Sequence, residues 1–241
     1  MIGLGTIINV FAIIIGATVG ILLHKIIPTR LQNTVTSAVG LSVCFVGISG
    51  VVSKMLVSNN GVFETKDTML MVASLVIGAF IGELFNIEKQ LERFGNFCKS
   101  HIKSKKENAR FTEGFVSSSL LFCVGAMAIV GSLEDGLTGN YTTLFAKSLM
   151  DGTVSIFFAA SMGAGVYLSV LPIAIYQGGI TILAGVIKPY LSTVLIDQLS
   201  LVGSVLIFAI GLNMCANTKI KIGNLLPAVL VPIVYNIIVS I

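Results

Sequence analysis

Crossing the hydrocarbon core of a bilayer takes about 20 apolar residues, with a range of about 17 to 25. Runs of that order, separated by short polar breaks, fill this chain. The first is Ile2 to Leu23, closed by His24, Lys25 and Pro28. The full set of expected helices lies near 2–23, 35–52, 68–85, 114–133, 144–169, 172–187, 199–215 and 225–241. Leu144 to Ile187 is too long for one crossing, and Pro172, which removes a helical N–H, divides it. The pattern predicts an all-α integral membrane protein: one polytopic domain over residues 1–241, a bundle of about eight transmembrane helices, some interrupted by Gly or Pro. The N-terminal run is uncharged and of spanning length, so it reads as a retained helix and not as a signal peptide.

Composition supports this reading. Charged residues make up 11% of the chain and mean hydropathy is +0.97, whereas a soluble domain carries about 25% charged residues to face water. The net charge of +4 is concentrated: seven of the fifteen Lys and Arg lie between Lys89 and Arg110. With no Trp and Phe mostly inside apolar runs, nucleic-acid binding is excluded. A basic cytoplasmic loop, 88–113, fits better. If the N-terminus and C-terminus lie outside, eleven Lys or Arg fall inside, and Lys54, Lys66, Lys147 and Lys188 remain at the outer face. Glu64, Asp67, Glu134, Asp135 and Asp197 join that outer side. After the third run, Ile87, Leu91, Phe94 and Cys98 recur at helical spacing among Lys89, Glu92, Arg93 and Lys99. That is either an amphipathic surface helix or a prolonged third helix.

Several runs echo one another. Ile15-Gly16-Ala17 with Gly20 matches Ile77-Gly78-Ala79 with Gly82. Val46-Gly47-Ile48, Val124-Gly125-Ala126 and Ile210-Gly211-Leu212 share a second pattern. Internal, inverted repeats produce such echoes, while small residues four apart also serve close helix packing, which is expected to explain most of these glycines.

Ionisable groups in the hydrocarbon region cost about 2.5–3.5 kcal/mol on insertion scales, so each needs a reason. Asp151 lies well inside its run, and Lys147, four residues earlier, shares its helix face. Gly152 beside it is expected to loosen the helix, and Ser155 extends the same face. Glu83 sits near the end of the third run. Tyr176-Gln177-Gly178-Gly179 predicts a broken helix whose freed backbone groups bind a solute. Asn9, Asn213 and Asn236 place amides within spanning runs, with interhelical hydrogen bonds as the default. Asn224 and Pro227 read as the cap and first turn of the last helix. The expected substrate or ion path is therefore Asp151, Lys147, Gln177, Glu83, Asn213, Asn9 and Ser155. Cys44, Cys98, Cys123 and Cys215 form no CxxC pair, and His24 and His101 have no partner at metal-ligand spacing. No metal, cofactor or catalytic constellation is expected.

Phe111-Thr112-Glu113-Gly114-Phe115, followed by Ser119-Leu120-Leu121-Phe122-Cys123-Val124-Gly125-Ala126-Met127-Ala128-Ile129, resembles domain of unknown function 554. That is a family of bacterial multispanning membrane proteins. Matching stretches are Ile77-Gly78-Ala79 with Gly82-Glu83, Lys147-Ser148 with Asp151-Gly152, Tyr176-Gln177-Gly178 and Asn224-Leu225-Leu226-Pro227-Ala228. The resemblance implies a bacterial cytoplasmic membrane location and no particular substrate.

The residues point to a secondary transporter or channel-like protein for a small solute or ion, and not to an enzyme. The alternative is a membrane sensor or scaffold acting through the basic loop. The expected partners are the lipid bilayer and a small solute or ion, with a homo-oligomer allowed.

Overall fold

The computed structural model describes residues 1–26, 28–59, 61–91, 93, 97, 108–123, 125–216 and 218–239. Chains of apolar residues in lipid must satisfy their backbone internally, which favours helices, and helices account for nearly all of the described chain. They are α1 (Leu4–Ile26), α2 (Thr29–Met55), α3 (Thr68–Phe85), α4 (Asn108–Cys123), α5 (Ala126–Thr138), α6 (Thr142–Met162), α7 (Val170–Ile182), α8 (Thr193–Ala216) and α9 (Val231–Val239). A short antiparallel hairpin of β1 (Leu56–Asn59) and β2 (Val62–Thr65) joins α2 to α3. The turn Ile222–Leu225 and the 3-10 segment Leu226–Leu230 lead into α9.

Among the described residues, six helical segments are long and apolar enough to cross a membrane, and α4 with α5, bent by 59°, makes a seventh. One of the six, Thr142–Ile182, holds 41 residues and is not straight. Asp151 and Gln177 would lie about 39 Å apart along a continuous helix, yet one amide nitrogen, Asn9 Nδ2, hydrogen-bonds both. The chain reverses within the 3-10 segment Gly163–Ser169. Gly163 has φ 79° and ψ −151°, a conformation open mainly to glycine. A Cβ on Gly165 would collide with the Phe111 carbonyl, so the turn is packed against the start of α4. The described bundle thus has eight arms, counting α4–α5 as one. Outward-facing Phe11, Phe45, Phe80, Ile175 and Ile182 are more than half exposed. In a helical bundle of this composition, that surface contacts lipid.

The reversal corrects two expectations. Pro172 does not divide the segment. It sits in the first turn of α7, where its missing N–H removes no helical bond. Gln177-Gly178-Gly179 does not break a helix either, because α7 runs on to Ile182. The discontinuity lies instead between α4 and α5, at Gly125 with φ 137°. Residues 108–113, expected in the basic loop, are helical. Phe94, Cys98, Lys99 and His101 lie outside the described residues.

The glycine echo is mainly packing. α1 lies parallel to α6, with Gly16 against the Gly152 carbonyl and Gly20 against that of Ile156. Gly152 therefore admits a close approach and loosens nothing, since α6 continues to Met162. α2 runs antiparallel to α8 through Gly47 on Phe208 and Gly211 on Cys44, while Gly78 and Gly82 of α3 rest on Ala228 and Asn224.

A buried polar cluster between three helices

α1, α6 and α7 bring four expected path residues together: Asn9, Lys147, Asp151 and Gln177. Lys147 Nζ lies 2.9 Å from Asp151 Oδ1 and 2.8 Å from Oδ2, because one helical turn places their side chains side by side. Asn9 Nδ2 donates to Asp151 Oδ2 at 3.0 Å and to Gln177 Oε1 at 3.2 Å. Both side chains of the ion pair are 8% exposed, and Asn9 and Gln177 are fully buried. Asn9 is five residues from the start of α1, Asp151 nine from the start of α6, and Gln177 five from the end of α7. At 1.5 Å per residue the cluster lies roughly 8 to 14 Å inside the face carrying the N-terminus.

The charges cancel, but the polar groups are not all matched. Asn9 Oδ1, Gln177 Nε2 and Thr181 Oγ1 are buried without a protein hydrogen-bond partner. Thr181 follows Gln177 by one turn. A buried unpaired polar atom costs about 1–3 kcal/mol, and native interiors avoid such atoms unless water or another molecule meets them. An acceptor, a donor and a hydroxyl thus stand free beside a neutralised ion pair.

The face above the cluster is closed by Asp135, which sequence reasoning placed only as an outer-side acid. Its carboxylate is fully buried and accepts from Gly3 N at 3.1 Å and Gly5 N at 3.0 Å. It serves as a tertiary cap on the orphan N–H groups of α1, where the helix dipole favours a negative charge. The signal available in sequence was the lack of a Ser, Thr, Asp or Asn at the start of α1.

The other expected residues lie elsewhere. Ser155 shares the α6 face, but its hydroxyl returns to the Asp151 backbone carbonyl at 2.7 Å, and its Cβ fills the tight contact with Gly16. Glu83 is at the opposite face, 60% exposed, 2.8 Å from Lys221 and bonded by Asn224 Nδ2. The Glu83 hydrogen bond raises the pKa of Lys221. Asn213 pins the following loop: its Oδ1 accepts from Ile220 N at 2.8 Å and Thr218 Oγ1 at 2.7 Å. Neither Glu83 nor Asn213 joins the cluster. Asn224 is no cap of its own helix, because its Oδ1 accepts from Glu88 N at 2.7 Å. Asn236 follows the default reading: it donates to Gln198 Oε1 at 2.6 Å, and Gln198 donates to Asp67 at 2.9 Å. Among the described residues, no three His, Cys, Asp or Glu side chains are grouped as metal ligands.

Comparison with known proteins agrees on class. The chain is 32% identical over 229 residues to "Uncharacterized membrane protein YdfK" of Bacillus subtilis (strain 168), covering 95% of this chain and 93% of that protein. It is 30% identical over 231 residues to "Uncharacterized protein YqgA" of Escherichia coli (strain K12), covering 94% and 93% respectively. No solved structure matches. The family described as "Protein of unknown function (DUF554)" matches residues 4–237, almost the whole bundle, and the chain belongs to that family.

Proposed function

We propose that this protein is a secondary transporter or channel-like protein for a small solute or ion, with Asn9, Lys147, Asp151 and Gln177 forming the polar part of the passage. One observation carries the reading: side chains from three helices meet in the apolar interior while Asn9 Oδ1 and Gln177 Nε2 keep unused hydrogen-bonding capacity. Groups of this kind are costly in a membrane and mark solute pathways. A purely structural cluster would be expected to consume all its donors and acceptors. The discontinuous α4–α5 arm supports the same reading, since interrupted helices line transporter sites. The basic stretch 88–113 and the bacterial relatives favour a cytoplasmic membrane with the N-terminal face outward. We assign no catalytic role to any residue.

Flux into proteoliposomes tests the proposal with a panel of radiolabelled ions and small metabolites. Parent protein is expected to move at least one member of the panel, and Asp151→Asn and Gln177→Ala to abolish or strongly slow that movement. Full flux in both folded variants sinks the assignment of the path.

A further inference from the structure

The unpaired atoms of the cluster continue along the seam between α1 and the two helices α5 and α7. Thr6 Oγ1 and Asn9 Oδ1 stand on α1, Ser132 Oγ on α5, and Gln177 Nε2 and Thr181 Oγ1 on α7. These are five of the nine buried side-chain atoms without a protein partner among the described residues. Helical register brings them together. Thr6 precedes Asn9 by three residues and shares its face, and Asn9 touches Gln177. α5 and α7 run parallel, since Ile129 and Tyr176 line one cavity and, further along both helices, Gly136 rests on the Thr181 carbonyl. Ser132 shares the α5 face of Ile129 and Gly136, one turn before Gly136, and so lies level with Gln177. Both amides have a fixed sense. The carboxylate of Asp151, paired with Lys147, only accepts, so Asn9 turns Nδ2 to it and to Gln177 Oε1. Asn9 Oδ1 and Gln177 Nε2 are left over.

Five such atoms together cost an amount on the scale of a whole fold's stability, and no space for water adjoins them here. A polar seam that is dry when shut meets its partners when the helices part. We infer that this seam, opened between α1 and the α5 and α7 pair, binds a small uncharged molecule with both hydrogen-bond donors and acceptors, of the class of amides and short polyols. The inference rests on the transport reading and names its solute. The polarity follows from the atoms: an amide oxygen accepts, an amide nitrogen donates, and three hydroxyls do either. A cation meets the Gln177 amide protons and an anion meets the Asn9 carbonyl. The bordering charges are already engaged, because Lys147 and Asp151 cancel and Asp135 accepts from Gly3 N and Gly5 N. An ion therefore finds no counter-charge to repay its desolvation. The size follows from register: Gln177 and Thr181 stand about 6 Å apart along their helix, the span of a urea, acetamide or glycerol molecule.

Osmotic swelling of proteoliposomes in urea, acetamide and glycerol, followed by stopped-flow light scattering, tests this beside fluxes of sodium, potassium, chloride and protons. The parent protein is expected to speed entry of at least one of the three neutral solutes over empty liposomes. Thr181→Val and Ser132→Ala each remove one unpaired hydroxyl, and each is expected to slow that entry by roughly three- to tenfold, the worth of one hydrogen bond. Neither hydroxyl has a protein partner to lose, so both variants are expected to be at least as stable as the parent in an unfolding titration. A hydroxyl that serves the fold lowers stability on removal, and that result overturns the seam. Neutral entry at the parent rate in both variants places the solute elsewhere and overturns it too. An ion flux that Asp151→Asn blocks, with no neutral solute moved, overturns the solute class and leaves the transport reading standing. Absence of every flux removes both.

Discussion

Asp151→Asn separates what the ion pair does for folding from what it does for function. The substitution preserves side-chain volume and an acceptor for Asn9, but leaves the Lys147 ammonium without a counter-charge at 8% exposure. Breaking a buried pair from one side costs about 3–5 kcal/mol. Removing both charges in Lys147→Met/Asp151→Leu strands nothing. Exchange of a buried pair for apolar residues ranges from neutral to about 4 kcal/mol stabilising. Asn9 Nδ2 then loses one acceptor and keeps Gln177 Oε1, a loss of about 1 kcal/mol. The double variant should therefore lie within about 1 kcal/mol of the parent or above it, with a coupling of at least about 2 kcal/mol between the sites. Reversible unfolding in mixed detergent micelles, titrated with dodecyl sulfate, reads these differences. A double variant as unstable as Asp151→Asn refutes the stranded-charge reasoning. A stable double variant that carries no flux identifies the pair as functional.

Further outcomes follow from packing, position and pH. Gly16→Ala places a methyl against the Gly152 carbonyl and should destabilise by about 1–3 kcal/mol. Gly178→Ala meets open space and should be neutral or stabilise by up to about 1 kcal/mol; the same unfolding titration checks both, and equal effects would contradict the α7 assignment. Glu83→Gln should leave flux unchanged, because Glu83 is exposed at the opposite face. The hydrogen bond from Lys221 raises that lysine above its ordinary value of 10.5, so its contribution is complete below that pH and fades as pH rises through the raised value. Unfolding titrations of parent and Glu83→Gln across alkaline pH should therefore converge at the top of the range.

The membrane class was legible because a bilayer imposes a length and a polarity on every crossing. The Lys147–Asp151 pair was legible too, since a spacing of four fixes a shared face. Their meeting with Asn9 and Gln177 was not, because it depends on the reversal at Gly163–Ser169. That turn is as apolar as the helices around it and packs against α4 at Gly165 instead of facing water. Hydropathy sees the polarity of a segment and not its direction. Glu83 and Asn213 misled for a related reason: each lies near the end of its run, where a polar side chain reaches a loop or the surface at little cost. Gly125 sits between a β-branched and an apolar residue, as do Gly47 and Gly211, which stay helical and serve packing, so nothing local marked it as the break.

The cluster also has a stiff side and a freer side. Asn9 and Asp151 stand on α1 and α6, which are locked by backbone contact at Gly16 and Gly20. Gln177 stands on α7, whose outer end is locked to α5 by Gly136 against the Thr181 carbonyl. Glycines with positive φ, Gly125 and Gly163, precede α5 and α7, and a Cβ on either would meet nothing within 4 Å. We hypothesise that α5 and α7 shift as one body against α1 and α6, parting Gln177 from Asn9. Asp135 then acts as the latch, since it joins α5 to the start of α1. Asp135→Asn keeps an acceptor and loses the charge at the helix terminus, about 1–2 kcal/mol in a buried setting. That is a five- to thirtyfold gain in the parted state. Hydrogen exchange over the first turns of α1 measures it: protection there should fall by that factor while α2 and α8 stay unchanged. Unaltered protection near Gly5, or an equal loss throughout the bundle, removes the case for a latch.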